Sequence, residues 1–185
     1  MSALTKTLEG LRSRAWEGLS AGAGDAGHPL HTCALATTGP GGAAEARMVV
    51  LRRAVRDKAL LEIHTDRASR KVADLSARPL ATLLFWWPDM ALQIRARVRV
   101  RIVTGAEIDP VWKALSASAR RNYGGRPPPS TPMAGSGDYS ETAERDRFAL
   151  LRGHVETLDL LHLGSAHRRA VYDRRDGFTG GWLAP

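Results

Sequence analysis

The sequence predicts a mainly β fold of the α+β class, a small antiparallel barrel flanked by helices. From Thr32 onward, six or seven short β-type runs follow one another with turn residues between them. One run, 92–103, places Gln93, Arg95, Arg97, Arg99 and Arg101 on one face and Ile94, Ala96, Val98, Val100 and Ile102 on the other, the period of two that a strand requires. Helical patterns are few and lie before or between the strands. At 185 residues the chain fits one domain, 1–185, with no internal repeat and no sign of a second core.

An amphipathic helix is expected within residues 1–20. Leu4, Leu8, Leu11, Ala15 and Leu19 recur at three-to-four spacing beside Trp16, and Gly22 and Gly24 end the pattern. Residues 22–27 also match GxGxxG. A dinucleotide fingerprint needs a strand before it and a helix after it, whereas here a helix precedes and His28-Pro29 follows, so the match is rejected. Strands are expected at 33–38 and 46–53, joined by Gly39-Pro40-Gly41-Gly42, and at 59–65. Asp66 stands as the N-cap of a short helix through Leu75, which Arg78-Pro79 closes because the residue before proline avoids helical backbone.

Residues 80–87 form an apolar strand stopped by Pro88. After the arginine-bearing strand, Asp109 and Pro110 open a helix to about Ala119. A long loop, 124–141, begins with Gly124-Gly125-Arg126 and three prolines. Residues 145–152 read as a short helix, and 154–163, 168–172 and 179–183 as closing strands.

The formal charge is +8, and only four of the 27 basic residues are lysine. Guanidinium groups suit phosphate and carboxylate oxygens, although net charge also serves solubility. Four arginines on one strand face cannot be buried unpaired, so solvent, acidic neighbours or an anion must meet them. Cys33 is the only cysteine, which excludes an internal disulfide and a redox pair and points to a reducing compartment. The N-terminus lacks the features of a secretory signal and no apolar run approaches the roughly 20 residues of a membrane span, so a cytoplasmic location is expected. No metal site is expected: His28-Pro29-Leu30-His31 offers two imidazoles without an acidic third ligand nearby.

Two constellations carry candidate chemistry. Arg47-Met48-Val49-Val50-Leu51-Arg52 is a strand bracketed by arginines whose odd separation puts them on opposite faces of a regular strand. One end can reach a phosphate while the other lines a different side of a planar ligand; an ordinary core strand with charged ends is the competing reading. His64-Thr65-Asp66-Arg67-Ala68-Ser69-Arg70-Lys71-Val72 places a strand end, a helix start, a hydroxyl and three cations within nine residues. Free N–H donors at a helix start suit an anion, and the helix dipole disfavours cations there, so Arg70 and Lys71 lean toward a bound anion.

With Pro79, Leu83-Leu84-Phe85-Trp86-Trp87 and Gln93 added, the order and gaps across 47–103 resemble the pyridoxamine 5′-phosphate oxidase family. Residues 167–174, His-Arg-Arg-Ala-Val-Tyr-Asp-Arg, and the closing Leu183-Ala184-Pro185 are similar to the end of that family's chains. The resemblance implies a six-stranded FMN-binding split barrel and a homodimer with FMN at the subunit interface. It implies that Arg47, Met48, Val49, Val50, Leu51 and Arg52 line the flavin and that Arg47, Thr65, Ser69, Arg70 and Lys71 hold its phosphate. His64 stands where the family has tyrosine, Gln93 meets the ring from the partner subunit, and Arg169 matches the arginine near the ring's polar edge.

The substrate residues depart from the family pattern. Its Tyr, Arg and Ser at four-residue intervals become Lys113, Ala117 and Arg121, its Arg-Leu-His triplet keeps only His167, its lysine becomes Arg52, and its tryptophan against the flavin becomes Leu161. The cofactor site is kept and the substrate site rebuilt, with Arg52, Arg121, Tyr123 and His167 as substrate candidates. The function expected is an FMN-dependent oxidoreductase with its substrate open. A flavin-sequestering protein without catalysis is the alternative, and a nucleic-acid binder using Arg95 to Arg101 a remoter one, since no stacking aromatic lies among those arginines.

Overall fold

The computed structural model describes residues 6–185, so Leu4 of the expected first helix lies outside the described residues. Helix α1 (Leu8–Gly24) starts behind Thr7, whose hydroxyl accepts the Gly10 N–H at 3.1 Å. It buries Leu11, Ala15, Trp16 and Leu19, the stripe read from the spacing. Gly22 lies inside the helix. A Cβ there would come within 2.6 Å of the Leu30 backbone, so its missing side chain permits close packing rather than termination.

Six strands close a barrel: β1 (Thr32–Thr38), β2 (Ala44–Val55), β3 (Leu60–Asp66), β4 (Leu80–Trp87), β5 (Leu92–Val103) and β6 (Phe148–His162). They pair antiparallel in the order β3-β2-β1-β4-β5-β6, and β6 pairs back onto β3, which leaves no free edge among them. Strands β7 (Arg168–Asp173) and β8 (Gly181–Leu183) extend the sheet beyond β6. Leu35, Leu61, Ile63, Leu83, Val98, Val100 and Leu151 fill the interior around a void of only ≈ 10 Å³. This is the mainly β barrel with flanking helices that the alternation predicts.

Four expectations are corrected. Residues 145–152 are not a helix: Arg145–Arg147 make one 3-10 turn, and Phe148 begins β6, whose residues 148–154 pair in unbroken register with β3. Both faces of this stretch are covered, so it carries no alternation, and its Ala, Leu and Arg content favours helix only locally. What covers it is a second, smaller apolar cluster, Val103, Ile108, Tyr123, Phe148 and Leu150, where one core was expected. The helix from Asp109 is two, α3 (Asp109–Ala114) and α4 (Ala117–Arg120), because Ser116 caps the second by accepting the Ala119 N–H at 3.1 Å. Asp66 does not cap α2 (Arg70–Ala77); Ser69 holds the N-cap position.

The 124–141 loop is pinched at its neck. Arg126 and Ser140 exchange backbone hydrogen bonds at 2.9 and 2.8 Å, and residues 130–141 stand exposed or at the surface beyond or beside that bridge. Among the described residues no helix is long and apolar enough to cross a membrane.

Candidate functional site

The end of the barrel where β3 turns into α2 gathers four side chains from three elements. Arg47 sits on the inward parity of β2 with Val49 and Leu51, at the barrel's end, where its guanidinium donates to Thr37 Oγ1 at 2.6 Å and reaches buried Asp74 at 3.4 Å. Thr65 and Ser69 are buried with their hydroxyls 3.2 Å apart, and Lys71 Nζ donates to Thr65 Oγ1 at 3.2 Å. Burial lowers the Lys71 pKa, the charge of Arg47 lowers it further, and Asp66 opposes both. No carboxylate lies within ion-pair distance of Lys71 among the described residues. Two cations held close over two buried hydroxyls, at a helix start, form a cradle that an anion completes.

Arg70 stands outside this group, largely exposed and 4.0 Å from Glu45. His64 is on the opposite face of β3 from Thr65, where it lies 3.6 Å from Glu62 and meets Phe148 edge-on. Val49 and Leu51 are in the core, whereas Met48, Val50 and Arg52 face outward. Arg52 is the extra residue of a β-bulge, since Leu51 pairs with Ile63 and Arg53 with the adjacent Glu62. Tyr123 lies near it: burial raises that phenol's pKa and the charge of Arg52 opposes the rise. Arg121, after α4, and His167, in the β6–β7 turn, are both exposed.

A second group lies on the barrel's outer face. Trp86, Gln93, Leu161, Arg169 and Leu183 are cross-strand partners in one row over β4 to β8. Directly paired residues share a face. The adjacent row holds Met48, Ala34, Leu84, Arg95, Asp159 and Val171. Arg169 donates from Nε and Nη2 to the two oxygens of Asp159 at 3.1 and 2.9 Å, and Arg95 donates to the same carboxylate. Burial raises the Asp159 pKa, but the hydrogen bonds from Arg169 and Arg95 outweigh it and the net shift is downward. Farther along β5, Arg97 donates to Thr157, Arg99 to Glu156 and Arg101 to Glu107, so three of the four arginines are paired with carboxylates.

Sequence reasoning missed the acidic residues that hold these groups in place. Asp66 binds Arg147 through both oxygens, accepts the Ala68 and Gly124 N–H groups at 2.8 and 2.9 Å, and so ties the cradle to the segment carrying Tyr123. Asp74 and Asp159 do the same for Arg47 and Arg169. One signal was present for Asp159: a lone carboxylate inside the apolar run of residues 158–161 requires a partner.

The family model for pyridoxamine 5′-phosphate oxidase matches residues 28–160. A pyridoxine/pyridoxamine 5′-phosphate oxidase of Anaeromyxobacter dehalogenans (strain 2CP-C) is 30% identical over 177 residues, covering 85% of this chain and 86% of that one. The namesake from Thermosynechococcus vestitus (strain NIES-2133 / IAM M-273 / BP-1) is 35% identical over 86 residues, 46% of this chain and 40% of the other. Among solved structures, a pyridoxamine 5′-phosphate oxidase-related, FMN-binding protein from Nostoc punctiforme PCC 73102 superposes with a TM-score of 0.76 at 24% identity, covering 94% of this chain and 96% of that one. PhzG from Burkholderia lata 383, in complex with tetrahydrophenazine-1-carboxylic acid, superposes with a TM-score of 0.70 at 19% identity, covering 94% and 91%. The match spans five of the six barrel strands completely and most of the sixth, includes the cradle and reaches Asp159. By sequence and by fold, the chain belongs to the pyridoxamine 5′-phosphate oxidase family.

Proposed function

We propose that this chain binds FMN, with the phosphate in the cradle of Arg47, Thr65, Ser69 and Lys71, and works as an FMN-dependent oxidoreductase on an anionic substrate other than pyridoxamine 5′-phosphate. The observation that carries the reading is Lys71, half-buried beside Arg47 with a depressed pKa and no carboxylate partner among the described residues. A phosphate dianion relieves that repulsion and accepts from both hydroxyls. When bound, the flavin supplies the hydride chemistry. The chain's part is to hold and orient it. Val49 and Leu51 have their side chains in the core and offer only backbone groups, while Met48 and Val50 present apolar surface outward.

Arg52 and Tyr123 form the donor pair for the anionic group of the substrate, one exposed cation and one buried phenol. The replacements at Lys113, Ala117 and Arg121 are why that substrate differs from the family's own. The second copy of a homodimer covers the outer rows, where Met48, Leu84 and Trp86 are 65%, 40% and 47% exposed side by side. It brings Gln93 and Arg169 to the flavin held by its partner.

Titrating FMN with the protein tests the reading. FMN fluorescence is expected to be quenched on binding, and Lys71→Ala or Arg47→Ala each to weaken binding by about tenfold or more, from ~1.5–3 kcal/mol per charge-assisted hydrogen bond. Unchanged fluorescence at every protein concentration removes the proposal. Turnover with oxygen or a nicotinamide cofactor separates catalysis from sequestration.

A further inference from the structure

We infer that Asp159 is the positioning residue that fixes the Arg169 guanidinium toward the polar edge of the flavin. The inference rests on the FMN reading above. Arg169 is opposite Leu161, in the same row as Gln93, and Asp159 lies two residues earlier on β6, diagonal to Arg169 on the same face. Both contacts run from one side of the guanidinium, Nε to Oδ1 and Nη2 to Oδ2, at 3.1 and 2.9 Å. This fork geometry fixes the plane of the group and leaves Nη1 as the donor directed away from the carboxylate.

An arginine side chain otherwise carries rotamer entropy that would be lost on meeting a ligand. Asp159 has its carboxylate almost buried and is itself held by Arg95 from β5, so the anchor is rigid from two strands. Charge alone does not account for an acid in this position. A carboxylate beside the edge where reduced flavin carries negative charge opposes that charge, whereas a carboxylate that orients a cation favours it. The two roles therefore differ in sign.

The experiment is a double-mutant cycle on full-length protein, read as the ratio of dissociation constants for reduced and oxidised FMN. Titration gives the oxidised value, and the midpoint potential of the bound flavin gives the ratio. Arg169→Ala is expected to weaken the reduced form relative to the oxidised by about tenfold, the size of one charge-assisted contact. Asp159→Asn is expected to move the ratio in the same direction, at least ~3-fold, and the double variant to match Arg169→Ala alone, since groups acting as one unit are not additive.

A ratio that moves the other way, an unchanged ratio in Asp159→Asn, or full additivity in the double variant overturns the inference. Asp159→Glu keeps the charge and displaces the carboxylate by one methylene, which covers the case in which Asp159→Asn does not fold. Positioning predicts a weakened reduced form in Asp159→Glu, and a pure charge effect predicts none. Wild-type protein that fails to bind FMN fails the flavin reading itself, an outcome distinct from FMN binding that is indifferent to Asp159.

Discussion

Arg147 grips Asp66 through two parallel hydrogen bonds, Nε to Oδ1 and Nη2 to Oδ2, each 2.9 Å long and joining residues 81 positions apart. The same carboxylate accepts the backbone N–H groups of Ala68 and Gly124. One buried acid thus joins the end of β3, the turn into α2, the start of β6 and the segment that carries Tyr123.

Removing that acid leaves a largely buried guanidinium and two N–H groups without partners. Asp66→Ala is expected to lose about 3 kcal/mol of stability, the scale for breaking a mostly buried pair from one side. Urea unfolding measures it. A loss below ~1 kcal/mol would show that water or other groups replace the carboxylate easily.

Acid sensitivity follows from Glu62. Burial raises its pKa, but the contact with His64 and the hydrogen bond and charge of Arg152 outweigh burial, and the folded-state value lies below the ordinary 4.5. A carboxyl with a depressed pKa in the folded state contributes stability that is present above its unfolded value and lost as pH falls through the folded one. Stability should therefore decline as pH drops below about 4.5, and Glu62→Gln should show a shallower decline with a lower plateau at neutral pH. Urea midpoints between pH 7 and pH 3 check this, and parallel curves for the two proteins would contradict it.

Two glycines of α1 separate helix propensity from packing. A Cβ at Gly18 would sit 2.2 Å from the Trp87 ring, whereas one at Gly24 meets nothing within 4 Å. Gly18→Ala is expected to destabilise by about 1–3 kcal/mol through overpacking against a buried ring. Gly24→Ala is expected to be neutral or to gain up to ~1 kcal/mol. Thermal unfolding of both variants distinguishes them, and equal shifts would mean that the α1 face is not seated on Trp87.

What was legible in the sequence is what local pattern encodes. The bounds of β4 and β5 match their readings residue for residue because each buries one face and Pro88 separates them. The β6 start was not legible, since Phe148 to Arg152 gain their strand conformation from pairing with Asp66 to Glu62 of β3, far earlier in the chain. In the candidate site, Arg47, Thr65, Ser69 and Lys71 could be gathered by spacing and family register. Asp66, Asp74 and Asp159 could not, because the residues each one holds are long-range neighbours or lie on another strand. Asp66 shows the limit most clearly: its place after a strand reads as a helix cap, and only the fold reveals Arg147 on its other side.

Whether this barrel carries FMN is read from the visible absorption spectrum of the purified protein. A yellow protein is expected, whose chromophore is released as FMN on denaturation and is retained poorly when Arg47 and Lys71 are replaced by alanine. A colourless protein that does not take up FMN on reconstitution would contradict it.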